Sequence, residues 1–75
     1  MNNDFDKNPL WEILVETVRH LPLYKSHKNY VREVIIPVKP EIKPEELSER
    51  LGMPLGEAFV ILEELSRELS VGKKD

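Results

Sequence analysis

The chain is 75 residues long, with 11 basic against 14 acidic side chains and a net charge of −3. That length allows one small domain, which buries only about 60% of the surface its unfolded chain exposes, and the acidic balance differs from the basic excess of general nucleic-acid binders. With no cysteine, a disulfide frame and a cysteine zinc site are both excluded, and His20 and His27, seven apart, lack the companion ligands of a metal cage.

The charges fall in blocks: residues 1–17 sum to −3, residues 18–39 to +4 and residues 40–75 to −4. No apolar run approaches the length of a membrane span, and none follows the charged start as in a secretory signal. A cytoplasmic protein without a membrane partner is the expectation. Abundant Glu and Lys with no Gln and a single Thr is the bias of hyperthermophile proteins.

In chain order, residues 1–8 read as a flexible N-terminus. Asn8-Pro9 is a helix start, a side-chain cap followed by proline at the first helical position. Leu10, Trp11, Leu14, Val15, Val18 and Leu21 recur at helical spacing as one apolar stripe, with Trp11 as its core anchor. Pro22 stops this helix, and LPLYKSHK reads as a basic connector without a period. Segment 29–38 is open to two readings. Alternation puts Val34, Ile36 and Val38 on one strand face. A short helix capped by Ser26 puts Tyr30, Val31, Val34 and Ile35 on one side and ends at Pro37. The helix is favoured, because a strand needs a backbone partner and the chain offers no second convincing strand.

Lys43-Pro44-Glu45-Glu46 starts the next helix, with two acids against the positive end of the helix dipole. Leu47 and Leu51 supply its apolar face and Gly52 its stop. After Met53-Pro54-Leu55-Gly56, a last helix carries Ala58, Ile61, Leu62, Leu65 and Leu69 on one stripe. Residues 9–70 form the expected single domain, helical over 44–51 and 57–69, and 71–75 a charged tail.

Residues 42–69, IKPEELSERLGMPLGEAFVILEELSREL, resemble the helix-turn-helix core of winged-helix transcription regulators, especially archaeal ones. The likeness rests on the Pro-Glu-Glu-Leu start, Ser48 where the helices touch, Leu51-Gly52 at the turn, Met53, and core positions at Ala58, Ile61 and Leu65. It implies an amphipathic helix before the pair, a place that Tyr30 to Ile36 fits. Six residues follow Leu69, too few for the β-hairpin wing, so the wing is expected to be missing or vestigial. The positions matching a recognition helix are Pro54, Leu55, Gly56, Phe59, Val60 and Glu63. None offers the cationic or amide donors that read base edges. Glu57, Glu64 and Glu68 extend the same outer face, and carboxylates there oppose a phosphate polyanion.

Two candidate surfaces follow. Leu55, Phe59, Val60, Glu63 and Glu64 form a candidate partner-binding face on the last helix, although the first helix would cover Leu55 and Phe59 if it packs there. Arg19, Lys25, Lys28, Tyr30 and Arg32 form a candidate nucleic-acid-binding set, able to grip phosphates while tyrosine stacks on bases. The same basic stretch could instead offset its acidic flanks or dock on the acidic face of a second copy. The two histidines are expected at the surface. The chain contains no Gly-rich phosphate loop and no nucleophile with a base in reach. The reading is thus an all-α, four-helix domain, winged-helix-like without a full wing. It is non-enzymatic, has no cofactor or small-molecule substrate, and binds a protein partner or itself. The alternative is a small DNA- or RNA-binding regulator using the basic 19–32 segment.

Overall fold

The structure, a computed structural model, describes residues 8–72, with side chains through Leu69; the rest of the expected flexible N-terminus, 1–7, and the tail from 73 onward lie outside the described residues. Those residues form four helices and contain no strand. Helix α1 spans Pro9–Arg19. Its start follows the expected chemistry: Oδ1 of Asn8 accepts the Leu10 N–H at 2.8 Å, with Pro9 in the first turn. At its end, Nδ1–H of His20 donates to the Glu16 carbonyl at 2.8 Å, satisfying an acceptor the terminating helix would leave open.

Helix α2 spans 24–38, so the segment expected to be a connector is largely helical. It consists of α-helical Tyr24–Tyr30, a π-helical turn Val31–Ile35 and a last α-turn Ile36–Val38. The Ile36 N–H reaches back five residues to the Val31 carbonyl. Pro37 accounts for the wide turn: it brings no N–H, and its ring presses on the preceding carbonyls. Opening the turn just upstream lets the helix pass through Pro37 and end at Val38, where the Lys39 N–H closes on the Ile35 carbonyl at 2.7 Å. Pro37 therefore distorts the helix without ending it, and Ser26 lies inside the helix, with Leu23 at the cap position.

Helix α3, Pro44–Leu51, ends on Gly52 at φ 69°, the left-handed conformation that favours glycine. The turn is tied by Ser48, whose carbonyl accepts from Gly52 and Met53 and whose hydroxyl donates to the Met53 carbonyl at 2.7 Å. Helix α4, Leu55–Gly72, starts two residues earlier than expected and continues past Leu69.

The core gathers around α4. Ala58, Val60, Ile61 and Leu65 are buried there against Val18 of α1, Tyr24, Val31 and Ile35 of α2, Ile42 of the linker, Leu47 of α3 and Met53. Helix α1 lies close at Gly56, where an added Cβ would come within 3.3 Å of Cδ1 of Leu14. Trp11 meets Phe59 edge to face at 6.1 Å between ring centroids. Trp11 is half-buried, short of full burial in a core. Among the described residues no helix is long and apolar enough to cross a membrane.

Candidate functional site

The basic stretch and the acidic last helix meet within one chain. Helix α4 presents Glu57, Glu64 and Glu68 along the side on which the end of α1 and the first half of α2 settle. Glu64, only 14% exposed in its side chain, is the hub. It accepts from Arg19 at 2.7 Å, from Lys28 at 3.1 Å and from the Tyr24 hydroxyl. Lys28 also donates to Glu68 at 2.7 Å, and Arg32 reaches the same carboxylate at 3.3 Å. The Lys28 ammonium stands 5.9 Å from the centroid of the Tyr24 ring.

These contacts set the ionisation of their members. Burial pushes the Glu64 carboxyl up, but hydrogen bonds from Tyr24, Arg19 and Lys28 outweigh it and hold it below the usual glutamate range. Glu68 is held low chiefly by its hydrogen bond from Lys28. Burial draws the Lys28 ammonium down, yet the Glu68 and Glu64 hydrogen bonds prevail and raise it. Burial and the Glu64 hydrogen bond both push the Tyr24 phenol up, and Glu64 raises Arg19.

In the first turn of α4 lies a second polar contact. Glu57, 2% exposed, is the one buried charged residue among those described. Nδ1–H of His27, on α2, donates to its Oε2 at 2.7 Å. His27 is 21% exposed in its side chain, so it is not the surface residue its sequence context suggests; His20 is.

Neither expected surface is presented as a unit. Of the nucleic-acid set, Arg19, Lys28 and Arg32 are turned onto α4, while Lys25 and Tyr30 face outward. Of the partner-binding set, Leu55 is exposed, Phe59 is half-buried against Trp11, and Glu63 pairs with Arg67 at 3.2 Å. Glu64 is the hub of the network, and Val60 is fully buried. Val60, Glu57 and Glu64 thus do not belong to an outer face. The single stripe read from the sequence describes a helix covered on one side. Because α1, α2 and α3 all contribute core residues around α4, burial extends well beyond that stripe.

Sequence reasoning also missed where apolar surface remains open. Leu10 and Ile13 point outward from α1. Tyr30 and Val34, expected on the covered side of α2, are exposed together with Val38. These three line a groove of about 270 Å³ with Ile35, Lys39 and Arg50. Their four-residue spacing was a usable signal. The helical reading groups Tyr30 and Val34 with Val31 and Ile35, and the strand reading groups Val34 and Val38 with Ile36, so neither separates this row from the buried residues. Among the described residues no cluster of His, Asp or Glu could hold a metal ion. Comparison with protein-family models, curated proteins and solved structures finds no match to this chain.

Proposed function

We propose that the chain is a non-enzymatic interaction module of wingless helix-turn-helix type that associates with protein, foremost a second copy of itself, rather than with nucleic acid. The short α3, the tight connection through Gly52 and the long α4 support the helix-turn-helix resemblance. One observation carries the functional reading: three of the four cations suited to phosphate, Arg19, Lys28 and Arg32, are committed to carboxylates of the protein's own α4, while apolar side chains at helical spacing stay open on α2. A phosphate would have to displace Glu64 and Glu68, so the gain from counterion release is offset by pairs already made. The surface clefts support a non-enzymatic role in the same way. The one between α1 and α4 is floored by Trp11 and Val15 and holds Arg19 and Arg67, each engaged by a glutamate, rather than a nucleophile facing a base.

The test is an anisotropy titration of labelled mixed-sequence duplex and single-stranded DNA at low salt. No binding up to ~100 μM protein, the weak end of non-specific affinities, is the expected result. Salt-dependent binding that Lys25→Glu weakens would overturn the reading in favour of a small nucleic-acid-binding regulator.

A further inference from the structure

Three apolar side chains leave α2 at four-residue intervals on its open side: Tyr30, Val34 and Val38, the last 83% exposed. Four-residue spacing stacks them on one face, as a row about 12 Å long at 1.5 Å per residue. Single surface valines need no account; a row bordering a groove does.

Charge of opposite sign bounds the row on its two sides. On the groove side stand Lys39 and Arg50, which share the single carboxylate of Glu46 at 2.8 and 3.1 Å and so leave that edge with one positive charge in excess. On the other side, away from buried Ile35, stands Glu33, exposed and without a hydrogen bond or ion pair to any described residue. A face with a cationic and an anionic edge complements itself when two copies meet about a two-fold axis parallel to the row. Each copy's Lys39 and Arg50 then lie along the same edge as the partner's Glu33, at both edges, as an isologous contact requires, with Lys39 about 9 Å further along the row at 1.5 Å per residue.

We infer that the Tyr30–Val34–Val38 face of α2 seats a second copy of this chain, the two α2 helices packed side by side and parallel. The inference rests on the interaction-module reading and names its partner and surface. Stable interfaces bury about 800 Å² per partner, more than three side chains and their flanks supply. The dimer is therefore weak, with a Kd on the order of 0.1–1 mM, and loosens with added salt as its edge charges are screened.

Sedimentation equilibrium over ~0.02–1 mM protein at low salt tests it. The wild-type chain should shift from monomer to dimer across that range. Val34→Glu should abolish the shift with the helical circular dichroism unchanged, because Val34 is exposed. Glu33→Lys should weaken dimerisation several-fold, and adding Lys39→Glu with Arg50→Glu to it should restore dimerisation. A strict monomer throughout overturns the inference. A dimer indifferent to Val34→Glu also overturns it, while leaving the interaction-module reading intact on another surface. Failure of that reading would show separately, as DNA binding in the titration above.

Discussion

Removing the imidazole of His27 should expose how much the buried Glu57 carboxyl depends on it. Glu57 is 2% exposed, and His27 is its hydrogen-bond partner among the described residues, at 2.7 Å. His27→Ala leaves that carboxyl facing a small gap at the α2–α4 junction. A buried polar group stripped of its partner costs about 1–3 kcal/mol. His27 is itself 21% exposed, so water can partly fill the gap, and this keeps the loss below the ~3–5 kcal/mol of a fully buried charge pair broken on one side. In a domain of this size about 1–3 kcal/mol lowers Tm by roughly 4–24 °C. Urea unfolding followed by circular dichroism and Trp11 fluorescence measures it, with the slope m unchanged if the folded state stays compact.

The second half of the experiment separates a stranded carboxyl from simple loss of packing. Glu57→Leu combined with His27→Ala removes both polar partners, and it should recover at least about 1 kcal/mol relative to His27→Ala alone, because coupled neighbours are not additive. Two results would refute the reasoning. One is His27→Ala unfolding within about 0.3 kcal/mol of the wild type, below the range for an orphaned buried group. The other is a double variant no more stable than the single one.

Acid should destabilise the fold through its ion-paired glutamates. Glu64, Glu68 and Glu46 have folded-state values lowered from the ordinary carboxyl range, so the stability they contribute is present above that range and is lost as the pH falls through the lowered values. Urea midpoints taken from neutral into acid pH should decline accordingly, and Glu64→Gln should flatten the decline. The two glycines flanking the α3–α4 connection should respond oppositely to alanine. At Gly52 an added Cβ meets nothing within 4 Å, so Gly52→Ala costs about 1 kcal/mol through the left-handed φ alone. At Gly56 the neighbour is the flexible end of Leu14; Gly56→Ala gains up to about 1 kcal/mol of helix propensity and should be neutral or stabilising by thermal melting.

The helices whose ends carry local chemistry were legible. Asn8-Pro9 caps α1 and Gly52 ends α3 in the structure as the capping rules require, and Pro44 opens α3 without a side-chain cap from Lys43. The start of α2 was not, for a definite reason. Its covered side there consists of Tyr24, His27 and Lys28, and hydrophobic periodicity cannot register a helix that docks through polar groups. The same cause hid Glu57, whose burial depends on a histidine thirty residues away. The basic segment reads as a phosphate-gripping set or as one that offsets its acidic flanks or docks on a second copy, and composition alone does not choose among these. The answer depended on α2 crossing α4, which no local signal contains. Tyr30 and Val34 were misplaced because a fifteen-residue helix with a π turn buries only Val31 and Ile35 in its second half.

The alternation of charge along the chain, −3, +4 and −4, acts as an address in the folded molecule. Arg19, Lys28 and Arg32 from the middle block meet Glu64 and Glu68 from the last, 36 to 45 residues away. The solvent-reaching pairs add at most about 1 kcal/mol each, and in the sheltered Lys28–Glu64 pair, 15% and 14% exposed, desolvation offsets the attraction, so their weight in the stability of the fold is small. Their directional weight is larger. Apolar burial is indifferent to sliding, and in a core this thin a one-turn slip of α2 along α4 would keep much of it. The slip would, however, cost Lys28 at least one of the two carboxylates it bridges and leave the buried Tyr24 hydroxyl without Glu64. Replacing the three innermost members together, Tyr24→Phe with Lys28→Met and Glu64→Leu, removes that penalty while preserving volume. The triple variant should stay within about 1 kcal/mol of the wild type, as apolar replacement of buried ionic groups commonly does, yet lose the single register. Its ¹H–¹⁵N spectrum should show doubled or broadened peaks confined to α2 and the facing turns of α4. One sharp set of peaks, as narrow as in the wild type, would refute the address and leave apolar packing alone as what places α2.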